Sequence, residues 1–167
     1  TSYGDVANIL VNPGFESSTS GNWAARSCTF ARTSSDKHSG TYSGKASGRT
    51  ASWQGIQQNV LGKMVQDQTY AVSGWVKTNY SSNLDVHLTF QKTDDSGTAY
   101  AWGASGSASS GGWTYISGSY TLTVNGTLTG LLVYVEGATS GTSYYDIYLD
   151  DANVYGAVPG VAGPNAT

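Results

Sequence analysis

Apolar and polar residues alternate with a period of two along most of this chain, and no ten-residue stretch holds the 3.6-residue period of a helix. From Leu84 to Lys92, the residues Leu84, Val86, Leu88 and Phe90 fall on one face, with Asp85, His87, Thr89 and Gln91 on the other. That pattern predicts a strand in a sheet with one wet face. From Leu128 to Glu136, the residues Leu131, Val133 and Val135 form a core set, while Leu132, Tyr134 and Glu136 share the opposite face. Further strands are predicted over Thr69–Thr78, Trp113–Leu122 and Tyr144–Val154, with a short one at Asn8–Val11. Trp23–Thr33 reads as a single strand with unclean alternation, and Thr41–Ser47 as a strand with Tyr42 and Ala46 inward. Asn12-Pro13-Gly14, Ser34–Gly40, Thr93–Gly97 and Asn125-Gly126 carry turn chemistry. After the Thr93–Gly97 turn, Thr98–Ser105 returns as a strand with Tyr100 and Trp102 on one face, and Gly106–Gly112 reads as a flexible loop. Nine or ten short strands at regular spacing predict an all-β fold, a sandwich of two antiparallel sheets. Jelly roll is the favoured topology, and an immunoglobulin-like sandwich the fallback.

The chain is organised around Ser47–Val60, where Arg49 and Trp53 stand four residues apart ahead of Ile56, Gln57, Gln58 and Val60. Trp53–Asn59 is predicted to be a short surface strand whose polar face carries amides. Trp53 sits among Ser and Gln, which suits an exposed platform. Most tryptophans are substantially buried, so a core role stays open.

The 167 residues suit one domain with a sizeable core. Only 11% are charged, against about 25% in ordinary domains, so Ser, Thr, Gly, Asn, Gln and Tyr must supply the surface. A net charge of -3 offers no electrostatic footprint for nucleic acid. No apolar run approaches the length of a membrane-spanning helix. Cys28 is the sole cysteine, so no internal disulfide forms. From Val158 onward the Pro- and Gly-rich composition is linker-like, which divides the chain into a domain at 1–157 and a tail at 158–167.

Twelve tyrosines and five tryptophans are the compositional excess. Each offers an apolar face and a hydrogen-bonding edge. Arg26, Trp53, Tyr100, Trp102, Tyr134 and Glu136 all fall on predicted strands and are able to share a face. Such a face suits a sugar, which presents C–H groups beneath and hydroxyls at its rim, where charge-assisted hydrogen bonds set geometry. A glycosidase needs two opposed carboxylates, and Glu136 has no evident partner. His38 and His87 lack metal-ligand spacing. These observations disfavour catalysis. Glu16 and the pair Asp150-Asp151 pose a separate question. Inward-facing, the pair calls for a hard cation such as Ca²⁺, with carbonyls from the His38–Gly40 turn completing its shell. A bulge that leaves both aspartates exposed is the equal alternative.

The segments N-P-G-F-E (Asn12–Glu16), H-S-G-x-Y-S (His38–Ser43), S-G-R-T-A-S-W-x-G (Ser47–Gly55), V-S-G-W-V-K (Val72–Lys77) and Y-x-D-D (Tyr148–Asp151) together resemble the family 22 carbohydrate-binding modules. The resemblance covers nearly the whole chain up to the tail. It implies a jelly roll with an open groove that binds β-1,4-xylan chains and xylooligosaccharides without catalysis, and mixed-linkage β-glucan as a secondary ligand. It also implies a covalently attached xylanase, a secreted extracellular setting and a structural calcium. By this resemblance the carbohydrate-binding residues are Arg26, Trp53, Tyr100, Tyr134 and Glu136, with Trp102 able to stand in for Tyr100. Arg26 and Glu136 are expected to brace each other as an ion pair in an empty groove. The metal residues are Glu16 and Asp151, with Asp150 as an alternative and the Ser39 backbone contributing from its turn.

Overall fold

The structure is a computed structural model that describes residues 5–160. Among these residues thirteen strands form: β1 (Val6–Asn8), β2 (Ala24–Arg26), β3 (Thr29–Thr33), β4 (Ser43–Ser47), β5 (Gly55–Asn59), β6 (Thr69–Thr78), β7 (Leu84–Asp94), β8 (Gly97–Ala108), β9 (Thr114–Thr121), β10 (Gly130–Gly137), β11 (Thr139–Ser140), β12 (Ser143–Tyr144) and β13 (Ile147–Ala157). Ten of them follow one hydrogen-bonded path, β2-β5-β10-β7-β8-β9-β6-β13-β4-β3, and β1 joins the sheet as an eleventh strand by pairing with the second half of β13. The path folds back on itself where β8 meets β9 through only two residue pairs, Ala104 with Gly118 and Ser105 with Ser117. The first five strands of the path make one layer and the last five the other. This is the antiparallel two-layer jelly roll that the alternation predicts.

Inward positions of both layers fill the space between them. Ile56, Val86, Leu88, Phe90, Leu131, Val133 and Val135 come from the first layer, and Val72, Val76, Ile116, Leu149 and Val154 from the second. Phe15, wholly buried, plugs one end and stacks on Trp23 at 4.8 Å. Side chains of period two thus put one face of each layer in the dry interior and the other in water.

Four local expectations are corrected. Trp23–Thr33 is not one strand, because Ser27 takes a left-handed φ of 57° and breaks it. Ala24–Arg26 pairs with β5 in the first layer, whereas Thr29–Thr33 pairs with β4 in the second. The edge strand near the N-terminus is Val6–Asn8 rather than Asn8–Val11. Gly106–Ala108 is strand rather than loop, because Leu84, Asp85 and Val86 supply a continuous pairing edge for Gly106, Ser107 and Ala108. Finally, β5 begins at Gly55, so Trp53 lies in the turn closed by the Gln54 N–H to the Ala51 carbonyl. Gly55 has to be glycine, since a Cβ there would stand 1.8 Å from the Val135 carbonyl oxygen. Ala157 closes β13, and only 158–160 of the linker-like tail fall within the described residues.

Candidate functional site

Cross-strand register builds the outer face of the first layer. One rung runs Ala24, Gln57, Tyr134, Thr89, Trp102, and the next runs Asn59, Leu132, Gln91, Tyr100. On the other side Glu136 stands opposite His87. A β-bulge in β8 between Trp102 and Ala104 keeps Tyr100 and Trp102 outward while Ala104 drops into the core. The result is a cleft of about 500 Å³ lined by Arg26, Trp53, Thr89, Tyr100, Trp102, Tyr134 and Glu136. All five residues that the resemblance implies for carbohydrate binding therefore meet in one place, and Trp102 joins Tyr100 rather than replacing it.

Arg26 is the best-fixed charge in the cleft. Its Nε donates to the Trp53 carbonyl at 3.2 Å, and its Nη1 and Nη2 donate to the Oε1 atoms of Gln57 at 3.2 Å and Gln91 at 2.7 Å. The guanidinium lies 3.8 Å above the Tyr134 ring centre. The expected Arg26–Glu136 ion pair is therefore replaced by two neutral amides and a ring face. Two glutamines hold the planar fork in place without neutralising it, which leaves its positive charge in the cleft. Tyr134 is buried beneath it. That burial, with the Glu136 charge adding and Arg26 opposing, pushes the Tyr134 phenol up to about 12. The hydroxyl stays protonated and able to donate at neutral pH.

Trp53 is 45% exposed, which settles the choice left open by the sequence in favour of a surface ring. Its turn is held from behind by Arg49, which is buried. Arg49 donates to the carbonyls of Gln54 (2.8 Å), Ser52 (2.9 Å), Gly137 (2.5 Å) and Tyr145 (2.6 Å), and at longer range to those of Ala51 and Ala138. One guanidinium so ties the turn that carries Trp53 to the end of β10 that carries Glu136. Tyr100 and Trp102 are more exposed still, at 61% and 64%. Trp102 stacks flat on His87, 3.8 Å between ring centres, and His87 meets the Ser105 hydroxyl through Nδ1 at 2.9 Å. Burial pushes the His87 imidazole below its ordinary range, against the pull of Glu136 and Asp85. His87 thus supports the cleft as a neutral ring.

Sequence reasoning left out Thr89, Gln91, His87 and Arg49 as parts of this site. The outward parity of β7 already marks the first three, and their proximity to Arg26 and Trp102 follows only from register. Nothing in the local sequence distinguishes Arg49 from Arg26.

The acidic residues gather at the other layer. Asp150 is wholly buried, and Asp151 stands beside it at a left-handed φ of 48° where β13 bulges. A bulge is therefore present, yet it buries one of the two aspartates instead of exposing both. Asp150 Oδ2 accepts the N–H groups of His38 (2.9 Å) and Ser39 (3.1 Å), and its Oδ1 accepts that of Asp151 (2.8 Å). Asp151 Oδ2 meets His38 Nδ1 at 2.7 Å and the Ser39 hydroxyl at 2.6 Å. Glu16 accepts the N–H groups of Thr41 and Tyr42, both at 2.9 Å. Gly40, at a φ of 65°, leaves room for that carboxylate, since a Cβ would lie 2.7 Å from it. Burial, with the Asp151 charge adding to it, pushes the Asp150 carboxyl up to about 6 against three backbone N–H groups. Among the described residues no three His, Cys, Asp or Glu side chains converge as a ready-made ligand group.

A cleft that sets aromatic rings beside a fixed cation, a carboxylate and amides has the chemistry of a sugar-recognition surface. The model of the family described as "Carbohydrate binding domain" matches residues 7–142, and the chain belongs to that family. The CBM22-1 xylan-binding domain from Paenibacillus barcinonensis Xyn10C shares the fold, with a TM-score of 0.77, 23% identity, and coverage of 97% of this chain and 99% of that one. Endo-1,4-beta-xylanase A of Thermoanaerobacterium saccharolyticum is 32% identical over 155 residues, which is 92% of this chain and 13% of the relative. The xylanase/beta-glucanase of Ruminococcus flavefaciens is 34% identical over 161 residues, or 95% of this chain and 19% of the relative. The chain thus corresponds to a small part of these proteins, and its match is to a binding domain rather than to a hydrolase catalytic domain.

Proposed function

We propose that the domain binds β-1,4-xylan chains and xylooligosaccharides in the cleft without cleaving them, as a module of a secreted, extracellular xylan-degrading enzyme. The observation that carries this reading is the meeting of Arg26, Trp53, Tyr100, Tyr134 and Glu136 around one open cleft. Trp53 supplies a half-exposed ring for the C–H face of a xylose unit, and Tyr100 and Trp102 offer a second wall across the cleft. Arg26 and Glu136 hydrogen-bond ring hydroxyls, each such charged contact contributing about 1.5–3 kcal/mol. Xylose lacks the exocyclic hydroxymethyl group of glucose, so a close-walled cleft admits xylan more readily than cellulose. The relatives named as xylanases support the substrate and the attached catalytic partner. The relative named as xylanase/beta-glucanase favours mixed-linkage β-glucan as the second ligand. Titration with xylohexaose, mixed-linkage β-glucan and cellohexaose tests the reading, with tightest binding expected for xylohexaose. Incubation with soluble xylan should release no reducing ends. Binding to none of the three glycans would refute the proposal.

Ca²⁺ is proposed at the acidic bulge of β13. Glu16, Asp150, Asp151 and the backbone of the Ser39 turn offer hard oxygen donors, the chemistry that Ca²⁺ takes. A wholly buried Asp150 with a raised pKa is the charge burden that a bound cation relieves. The site lies in the opposite layer from the cleft, so the ion's contribution there is to stability and not to sugar contact.

A further inference from the structure

We infer that the hydroxyl of Thr89 is a ligand-reading group in the floor of the cleft, hydrogen-bonded to a ring hydroxyl of a neutral pyranose when the cleft is filled. The inference rests on the reading of the cleft as a β-glycan site. Among the described residues, Thr89 Oγ1 is the one buried side-chain nitrogen or oxygen atom with no hydrogen-bond partner. The residue is 1% exposed and lines the cleft. Buried hydroxyls in folded proteins almost always find a partner, and one left without a partner destabilises the free protein. Valine has nearly the same shape, suits a strand at least as well and carries no such cost. A threonine at this point is therefore explained by a partner that arrives with the ligand.

The neighbours say from which side it arrives. In its rung Thr89 stands between Tyr134 and Trp102. Tyr134 is pinned under the Arg26 guanidinium, whereas Trp102 is 64% exposed and rests on the His87 ring. A sugar seated in the cleft reaches the Thr89 hydroxyl from the Trp102 side, with that ring shifting over the sugar. A hydroxyl both donates and accepts, so it matches a sugar hydroxyl and gives no preference for a charged unit.

The test compares Thr89→Val and Thr89→Ser with the parent by calorimetric titration of xylohexaose and by thermal melting. Thr89→Val is expected to melt at or above the parent temperature while binding about tenfold more weakly, the size of one hydrogen bond lost to an unpaired sugar hydroxyl. Thr89→Ser should bind within about twofold of the parent. Gains in stability and losses in affinity from one substitution are not what a packing role produces. Equal binding by Thr89→Val and the parent would overturn the inference while leaving the cleft reading intact. So would a large melting loss in Thr89→Val, which marks a structural role. If the parent prefers mixed-linkage β-glucan oligosaccharides, the same comparison is made with them. A parent that binds neither glycan defeats the cleft reading, and this inference with it.

Discussion

Replacing Trp53 by alanine separates stability from the proposed recognition, because its ring lines the cleft and is only partly packed. The side chain is 45% exposed, so just over half of its surface is covered. A tryptophan buries roughly 150–250 Å² when packed, which puts about 100 Å² at stake here. At about 25 cal/mol per Å² this is an upper limit of about 2.5 kcal/mol, and nearer 2 kcal/mol once a compact unfolded chain is allowed for. A domain of this size loses about 2–4 °C of melting temperature per kcal/mol, so the variant should melt about 4–8 °C below the parent and remain folded at 25 °C. The contact from Arg26 Nε goes to the Trp53 carbonyl, which alanine keeps. By contrast, wholly buried Phe15 should cost about 3–5 kcal/mol on truncation. Loss of an anchoring ring at an interface costs about 2 kcal/mol or more, a weakening of about thirtyfold. The assay is xylohexaose titration of the variant at 25 °C with melting recorded in the same buffer. A folded Trp53→Ala protein that binds within about threefold of the parent would refute the role of the ring. A melting loss beyond about 15 °C would refute its placement at the surface.

Gly55→Ala should leave little or no folded protein, because the added methyl meets the Val135 carbonyl at 1.8 Å where β5 and β10 run side by side; circular dichroism of the purified chain checks this. Chelation should lower the melting temperature and added Ca²⁺ restore it, since a ligand held only by the native state stabilises that state. Affinity for xylohexaose should stay unchanged at temperatures where the domain is folded, and an unaltered melting point with no bound metal would contradict the calcium proposal. At alkaline pH, Tyr134 should titrate near 12 in absorbance at 295 nm, after the ordinary phenols, and Tyr134→Phe should remove that late step. The sign follows from the raised folded pKa: between about pH 10 and 12 the native state keeps a proton that the unfolded chain releases. Its contribution is therefore present below pH 10 and is lost as pH rises toward 12.

The sequence by itself determined the class of fold and most of the faces. Period-two alternation leaves no helical solution, and at β7 and β10 it sorts inward from outward residues correctly, down to Tyr134 and Glu136 on the cleft side and Val133 and Val135 in the core. It also placed Tyr100 and Trp102 together, since two residues apart on a strand is one face. Motif resemblance then picked out Arg26 and Trp53. What alternation does not contain is which strand lies beside which. The break at Ser27 sends Arg26 to β5 and Phe30 to β4, a choice made by pairing partners distant in the chain. Only that pairing sets Arg26 over Tyr134, between Gln57 and Gln91, instead of against Glu136. The burial of Asp150 beside a partly exposed Asp151 likewise comes from the bulge opposite Trp75 and Ser73 and from the turn at His38. The missing partner of Thr89 is decided the same way. Side-chain direction is a local property of the backbone, but hydrogen-bond partners, burial and charge neighbours are properties of register between strands, and register is settled by the packing of the whole sandwich.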